Sequence, residues 1–167
     1  MVTNARARLA ASAVATTPLF SSAAGAQMRR PDIKVTATPI AGPVKAGGTV
    51  TVRLSVWLPQ DVHVQSDKPR DPSLIPTALT LIPPAGFSVD KITYPKAIAL
   101  SPSGRAEPLS VFGGEFFIEA RLTVPEGVRP GEHLVQATLR YQACTESVCF
   151  APARATAQWT MKVSAPN

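Results

Sequence analysis

The chain has 167 residues, 45% hydrophobic and 17% charged, which gives enough apolar side chain for one globular domain and excludes a disordered polyelectrolyte. Seventeen prolines against ten glycines argue against a helical bundle, because proline breaks helix interiors, and no run of about 18 apolar residues is present to cross a membrane as a helix. The formal net charge of +6 is spread over lysines and arginines interspersed with acids, so no basic stripe marks a nucleic-acid surface.

Residues 1–26 have the layout of a secretory signal peptide. Arg6 and Arg8 precede an apolar stretch from Leu9 to Phe20, and Ala24-Gly25-Ala26 offers a small-residue cleavage site. Cleavage after Ala26 would remove two arginines and no acid, leaving a net charge of +4 on 27–167. Export to an oxidising compartment is therefore expected. There a pair of thiols tends to form a disulfide.

From residue 31 onward the pattern is of short strands. In 49–58, Val50, Val52, Leu54, Val56 and Leu58 alternate with Thr49, Thr51, Arg53 and Ser55, the period of two that marks a half-buried strand. Similar runs recur at 75–82, 87–94, 115–124, 133–142 and 154–163, and within 133–142 Val135, Ala137, Leu139 and Tyr141 share a face. Proline- and glycine-rich turns separate them. This spacing predicts an all-β protein, an immunoglobulin-like antiparallel β-sandwich. The stretch from Tyr94 to Glu115 carries Pro95, Pro102, Gly104, Pro108, Gly113 and Gly114 with little periodicity, and is expected to be a long irregular loop with a functional role.

Chemistry concentrates in Tyr141-Gln142-Ala143-Cys144-Thr145-Glu146-Ser147-Val148-Cys149-Phe150-Ala151-Pro152. Four residues separate the cysteines, and a four-residue hairpin loop would set them opposite each other across a ladder. Opposed residues lie about 4.5–5.5 Å apart at Cα, within reach of a disulfide. Such a bridge closes a ring worth only about 2 kcal/mol, so a redox role and a structural staple both stand on spacing alone, with free thiols or a metal site as the remainder. His63 and His133 are distant in sequence and have no ligand spacing with the cysteines or Met161, so no metal or cofactor is expected. His63, between two valines, reads as a strand residue with a satisfied ring; His133 reads as a solvent-facing strand start. The chain has no Gly-x-Ser-x-Gly, no Gly-rich phosphate loop and no His-Glu-x-x-His.

The segment YQACTESVCFAP resembles the Tyr-Gln-x-Cys…Cys-x-x-Pro signature of the periplasmic N-terminal domain of the thiol:disulfide interchange protein DsbD family. A second block, from Leu58 through His63 and Ser66 to Pro69, is similar to that family's strand and turn, and Ile75-Pro76-Thr77 and Tyr94-Pro95 also fit. The resemblance spans about 32–163. It implies the immunoglobulin-like fold and an electron relay without a cofactor: reducing equivalents arrive from a thioredoxin-like domain or membrane thiol reductase. They leave to periplasmic disulfide isomerases or cytochrome c maturation thioredoxins. It assigns Cys149 the mixed disulfide with the partner and Cys144 the resolving role, with Tyr141, Gln142 and His63 in support. It also implies a cap over the cysteines, for which Val111-Phe112-Gly113 is the matching stretch, Phe112 the expected shield and Gly113-Gly114 a hinge. Leu109-Ser110 stand where some members carry acids, and the cysteine loop has no lysine or arginine, so an unactivated thiol pair is expected. The competing reading is a non-catalytic periplasmic binding or assembly module with a structural hairpin disulfide. A thiol metal chaperone is a third, and a monomer the default assembly.

Overall fold

The computed structural model describes residues 29–38, 42–104 and 106–165; the expected signal peptide lies outside them. The described residues form twelve strands: β1 (Lys34–Thr38), β2 (Val44–Lys45), β3 (Thr49–Trp57), β4 (His63–Gln65), β5 (Ala78–Ile82), β6 (Ser88–Thr93), β7 (Ile98–Leu100), β8 (Leu109–Gly113), β9 (Glu115–Thr123), β10 (Gly131–Tyr141), β11 (Ala143–Cys144) and β12 (Ala153–Ser164). Among the described residues there is no helix.

The two main sheets are β1-β3-β9-β6 and β2-β12-β10-β5, antiparallel throughout except where β2 runs parallel to β12. Their inward rows follow the alternation read from the sequence. Val52, Leu54, Val56, Ile118 and Leu122 of the first sheet and Val135, Leu139, Met161 and Val163 of the second are 0–2% exposed and belong to one continuous core. Burial of each such side chain contributes about 1.5–3 kcal/mol relative to exposure. This is the immunoglobulin-like sandwich expected from the strand spacing.

A third sheet, β11-β4-β8-β7, caps one end, and it is built from continuations of the main strands. After Trp57 pairs with Glu115, Leu58 N donates to Gly114 O at 3.0 Å, and the ladder resumes at His63 opposite Gly113. The chain between them turns at Asp61, which takes a positive φ of 60°, a conformation that Asp tolerates better than most residues. On the partner side β8 passes into β9 through Gly114 at φ 63°. β10 passes into β11 through Gln142, leaving the second sheet to pair with β4.

The irregular loop expected over 94–115 is corrected here. It contains the antiparallel β7–β8 pair, with Ile98 opposite Val111 and Leu100 opposite Leu109. Three-residue β7 is too short to show a period, and β8 is buried on both faces at Val111 and Phe112, which erases the polar half of the alternation. His63 lies in a strand, β4, as its setting between two valines predicts, but the strand shows no period of two because His63, Val64 and Gln65 are all buried.

A Cβ at Gly114 would meet nothing within 4 Å, so a substitution there costs conformation and not space. Gly114→Ala should lower unfolding free energy by about 1–2 kcal/mol in denaturant titration, whereas Gly113→Ala, at a position without positive φ, should be milder.

Candidate functional site

The two sulfurs are joined. Cys144 and Cys149 form a disulfide with their Cα atoms 4.0 Å apart. Thr145 N donates to Val148 O at 2.8 Å and Phe150 N to Ala143 O at 2.9 Å, so the cysteines face each other as a non-hydrogen-bonded antiparallel pair, the closer of the two pair types. The loop 145–148 is drawn tight by Thr145, whose hydroxyl lies 3.3 Å from Val148 N. Gln142 Nε2 donates to Phe150 O at 3.2 Å and so ties the two arms of the hairpin. Tyr141 ends β10 buried at 4% exposure, and burial pushes its phenol pKa above the ordinary value.

The bridge is asymmetric. Cys144 is 1% exposed, whereas Cys149 lies on the open side of the hairpin as an exposed residue. Cys144 pairs with His63, which in turn pairs with Gly113; one residue along, Ala143, Val64 and Phe112 form the neighbouring row. Because side chains alternate across a sheet, the two rows point to opposite faces. The Ala143-Val64-Phe112 row enters the main core. The Cys144-His63-Gly113 row, with Gln65 and Val111 two positions on, occupies the other face.

That face floors a groove of about 650 Å³, lined by His63, Val111, Gly113, Ile98 and Leu100, with Asp61 and Val62 at one end and Thr145, Glu146 and Ser147 of the cysteine loop as a wall. The Phe112 ring is not brought to the disulfide. It is 3% exposed, stacks parallel to Tyr94 at 6.4 Å between centroids and packs on Phe116 at 4.9 Å. Its neighbour Val111 is the member of that stretch whose side chain shares the cysteine face.

His63 is 7% exposed, and its Nε2 has no hydrogen-bond partner among the described residues, unlike the satisfied ring expected from the sequence. Burial depresses its pKa below 6.5. His133 by contrast places Nε2 2.8 Å from Arg129 O, beside Phe87, far from the cysteines along β10. Gln65 was not singled out by sequence reasoning, yet it is fully buried with both amide atoms unpartnered. Its spacing of two from His63 was the available signal. The adjoining block is structural: Ser66 N donates to Ser110 O at 2.8 Å, and the Thr77 hydroxyl donates to Gln65 O, locking β4 against β8 and the chain that follows. Among the described residues no three His, Cys, Asp or Glu side chains cluster as metal ligands.

The family model for the N-terminal domain of thiol:disulfide interchange protein DsbD matches residues 34–160. Among solved structures, the N-terminal periplasmic domain of ScsB from Proteus mirabilis superposes with a TM-score of 0.50 at 14% identity, over 81% of this chain and 47% of that one, so the chain spans about half its length. The reduced DsbD N-terminal domain of Neisseria meningitidis gives a TM-score of 0.41 at 13% identity, covering 70% of this chain and 80% of that domain. No curated protein matches the chain.

The sign of the His63 shift fixes a pH dependence. Above pH 6.5 the ring is neutral in both folded and unfolded chains; as pH falls below 6.5 the unfolded chain takes up a proton that the folded one resists. Stability should therefore decline from pH 6.5 down to the depressed folded pKa and then level off. In His63→Gln that part of the decline should be absent in denaturant titrations from pH 7.5 to 4.5.

Proposed function

This chain belongs to the DsbD N-terminal family, and we propose that its Cys144/Cys149 pair passes reducing equivalents by reversible thiol–disulfide exchange. The observation that carries this reading is the asymmetry of the bridge, with Cys144 a buried residue at 1% exposure and Cys149 an exposed one. A partner's thiolate attacks Cys149 Sγ, the Cys144–Cys149 bond breaks and Cys144 leaves as a thiolate that takes up a proton. The partner's second thiol then attacks the intermolecular disulfide, releasing Cys149 and leaving the partner oxidised. Onward transfer runs the same steps in reverse. Cys149 attacks an acceptor disulfide and Cys144 resolves the mixed species.

The donor in this reading is a membrane or thioredoxin-like thiol reductase. The acceptors are periplasmic thioredoxin-fold proteins, disulfide isomerases or cytochrome c maturation thioredoxins. Residues 1–26 serve as the export signal, 27–167 as the redox domain and the periplasm as the workplace. The groove beside the bridge, walled by the cysteine loop and lined by Val111, Ile98 and Leu100, is in this reading the surface a partner would meet. A structural staple is the competing use of the bridge. Its ring spans only five positions, so its removal costs the fold little.

Variants separate the two uses. Cys149→Ser should stay folded, losing about 2 kcal/mol or less, and should lose exchange with thioredoxin-fold partners. Cys144→Ser should accumulate a mixed disulfide through Cys149, visible on non-reducing gels. Broad unfolding of Cys149→Ser, or no trapped partner with Cys144→Ser, would favour the staple.

A further inference from the structure

The buried cysteine has a chemical difficulty that the exposed one does not. When Cys144 must attack the mixed disulfide on Cys149, its thiol first has to lose a proton at 1% exposure, where burial disfavours a thiolate. No lysine or arginine stands in the cysteine loop. The residue paired with Cys144 across the ladder is His63. Opposed side chains on one face have Cβ atoms about 4.5–5.5 Å apart, which makes the His63 ring the cross-strand neighbour of the Cys144 side chain.

The ring is not committed elsewhere, because its Nε2 is buried without a partner among the described residues. The residue also lines the groove that opens beside the bridge, so only local opening of that groove separates the buried Nε2 from water. The other face-sharing polar side chain is Gln65, whose amide accepts no proton at neutral pH. The remaining titratable groups on this groove are the exposed carboxylates of Asp61 on the β3–β4 turn and Glu146 on the cysteine loop; Gly113, Val111, Ile98 and Leu100 on β8 and β7 contribute none.

We propose that His63 is the proton acceptor for Cys144 in the closing step of the exchange, an assignment that rests on the exchange reading above. In that step Cys144 Sγ–H gives its proton to His63 Nε2 as the sulfur attacks Cys149 Sγ. The bond between Cys149 and the partner's sulfur breaks, and that sulfur leaves with the electron pair as a thiolate. Cys144 and Cys149 are oxidised to the bridge while the partner's disulfide is reduced. His63 then releases its proton through the groove. In the opposite direction the protonated ring returns the proton to the departing Cys144. The depressed pKa of the ring supports this, since a neutral imidazole is available to accept at neutral pH.

The test uses oxidised glutathione with the reduced protein, following formation of the mixed disulfide and then its closure between pH 6 and 9.5. With the native sequence, closure should keep a pH-independent arm below the thiol's own pKa. With His63→Phe, which fills the same buried space, closure should be slower by about tenfold or more at pH 7, at the lower edge of general-base effects. It should climb with hydroxide and meet the native rate at high pH, while mixed-disulfide formation at Cys149 keeps its rate. Superimposable closure profiles would overturn the proposal and leave the exchange reading standing, whereas absence of closure in the native protein would overturn both. A second measurement needs no variant: the His63 ring, titrated by NMR, should show different pKa values in the oxidised and reduced protein. Identical titrations would overturn the proposal even if His63→Phe failed to fold.

Discussion

The alternation of side chains along β4 is the constraint on which the rest of the site depends. Val64 is held in the core with Ala143 on one side and Phe112 on the other, so the adjoining row of Cys144, His63 and Gly113 must face away from it. A slip of one residue would drive the polar His63 and Gln65 into the apolar core and turn Val64 out, at a cost of several buried contacts. The register is fixed beyond β4 as well, by the Ser66 to Ser110 bond and the Thr77 hydroxyl on Gln65 O. Packing on one face thereby positions the cysteine pair on the other.

That arrangement explains how an immunoglobulin-like sandwich can present a disulfide for exchange with no helix among the described residues and no lysine or arginine in the cysteine loop. The hairpin of β10 and β12 is long and regular as far as Tyr141 opposite Ala153, then splays so that its tip can join a different sheet. The splayed tip buries one cysteine against β4 and leaves the other on the open side. Activation of the exposed sulfur needs nothing from this protein when a partner supplies the attacking thiolate. The buried sulfur has no such help, and its only paired neighbour with a basic atom is His63.

Much of this was legible in the sequence, and the exceptions have physical causes. The period of two in 49–58 and 133–142 identified β3 and β10 with the correct inward face, because those strands are buried on one side and solvated on the other. The four-residue gap between the cysteines gave their pairing across a hairpin, because loop length fixes register. Most of the end sheet had no period to read: β4 and β8 are covered on both faces and leave no polar half to count, and β7 is only three residues long. The choice between Val111 and Phe112 turned on that hidden register. The resemblance implied an aromatic cap and so pointed to Phe112, but the ladder to β4 sends Phe112 to Tyr94 and Phe116, while Val111 lines the groove. His63 was expected to be satisfied because most buried rings are; its free Nε2 shows only in three dimensions.

The central claim, that the Cys144–Cys149 bridge is made to be opened and closed, is tested most directly by its reduction potential, measured by equilibrating residues 27–167 against thiol buffers of known poise. The account predicts a value between about −200 and −270 mV, where exchange proteins operate. A value below about −300 mV would mark a bridge that resists reduction and holds structure, and would contradict the account.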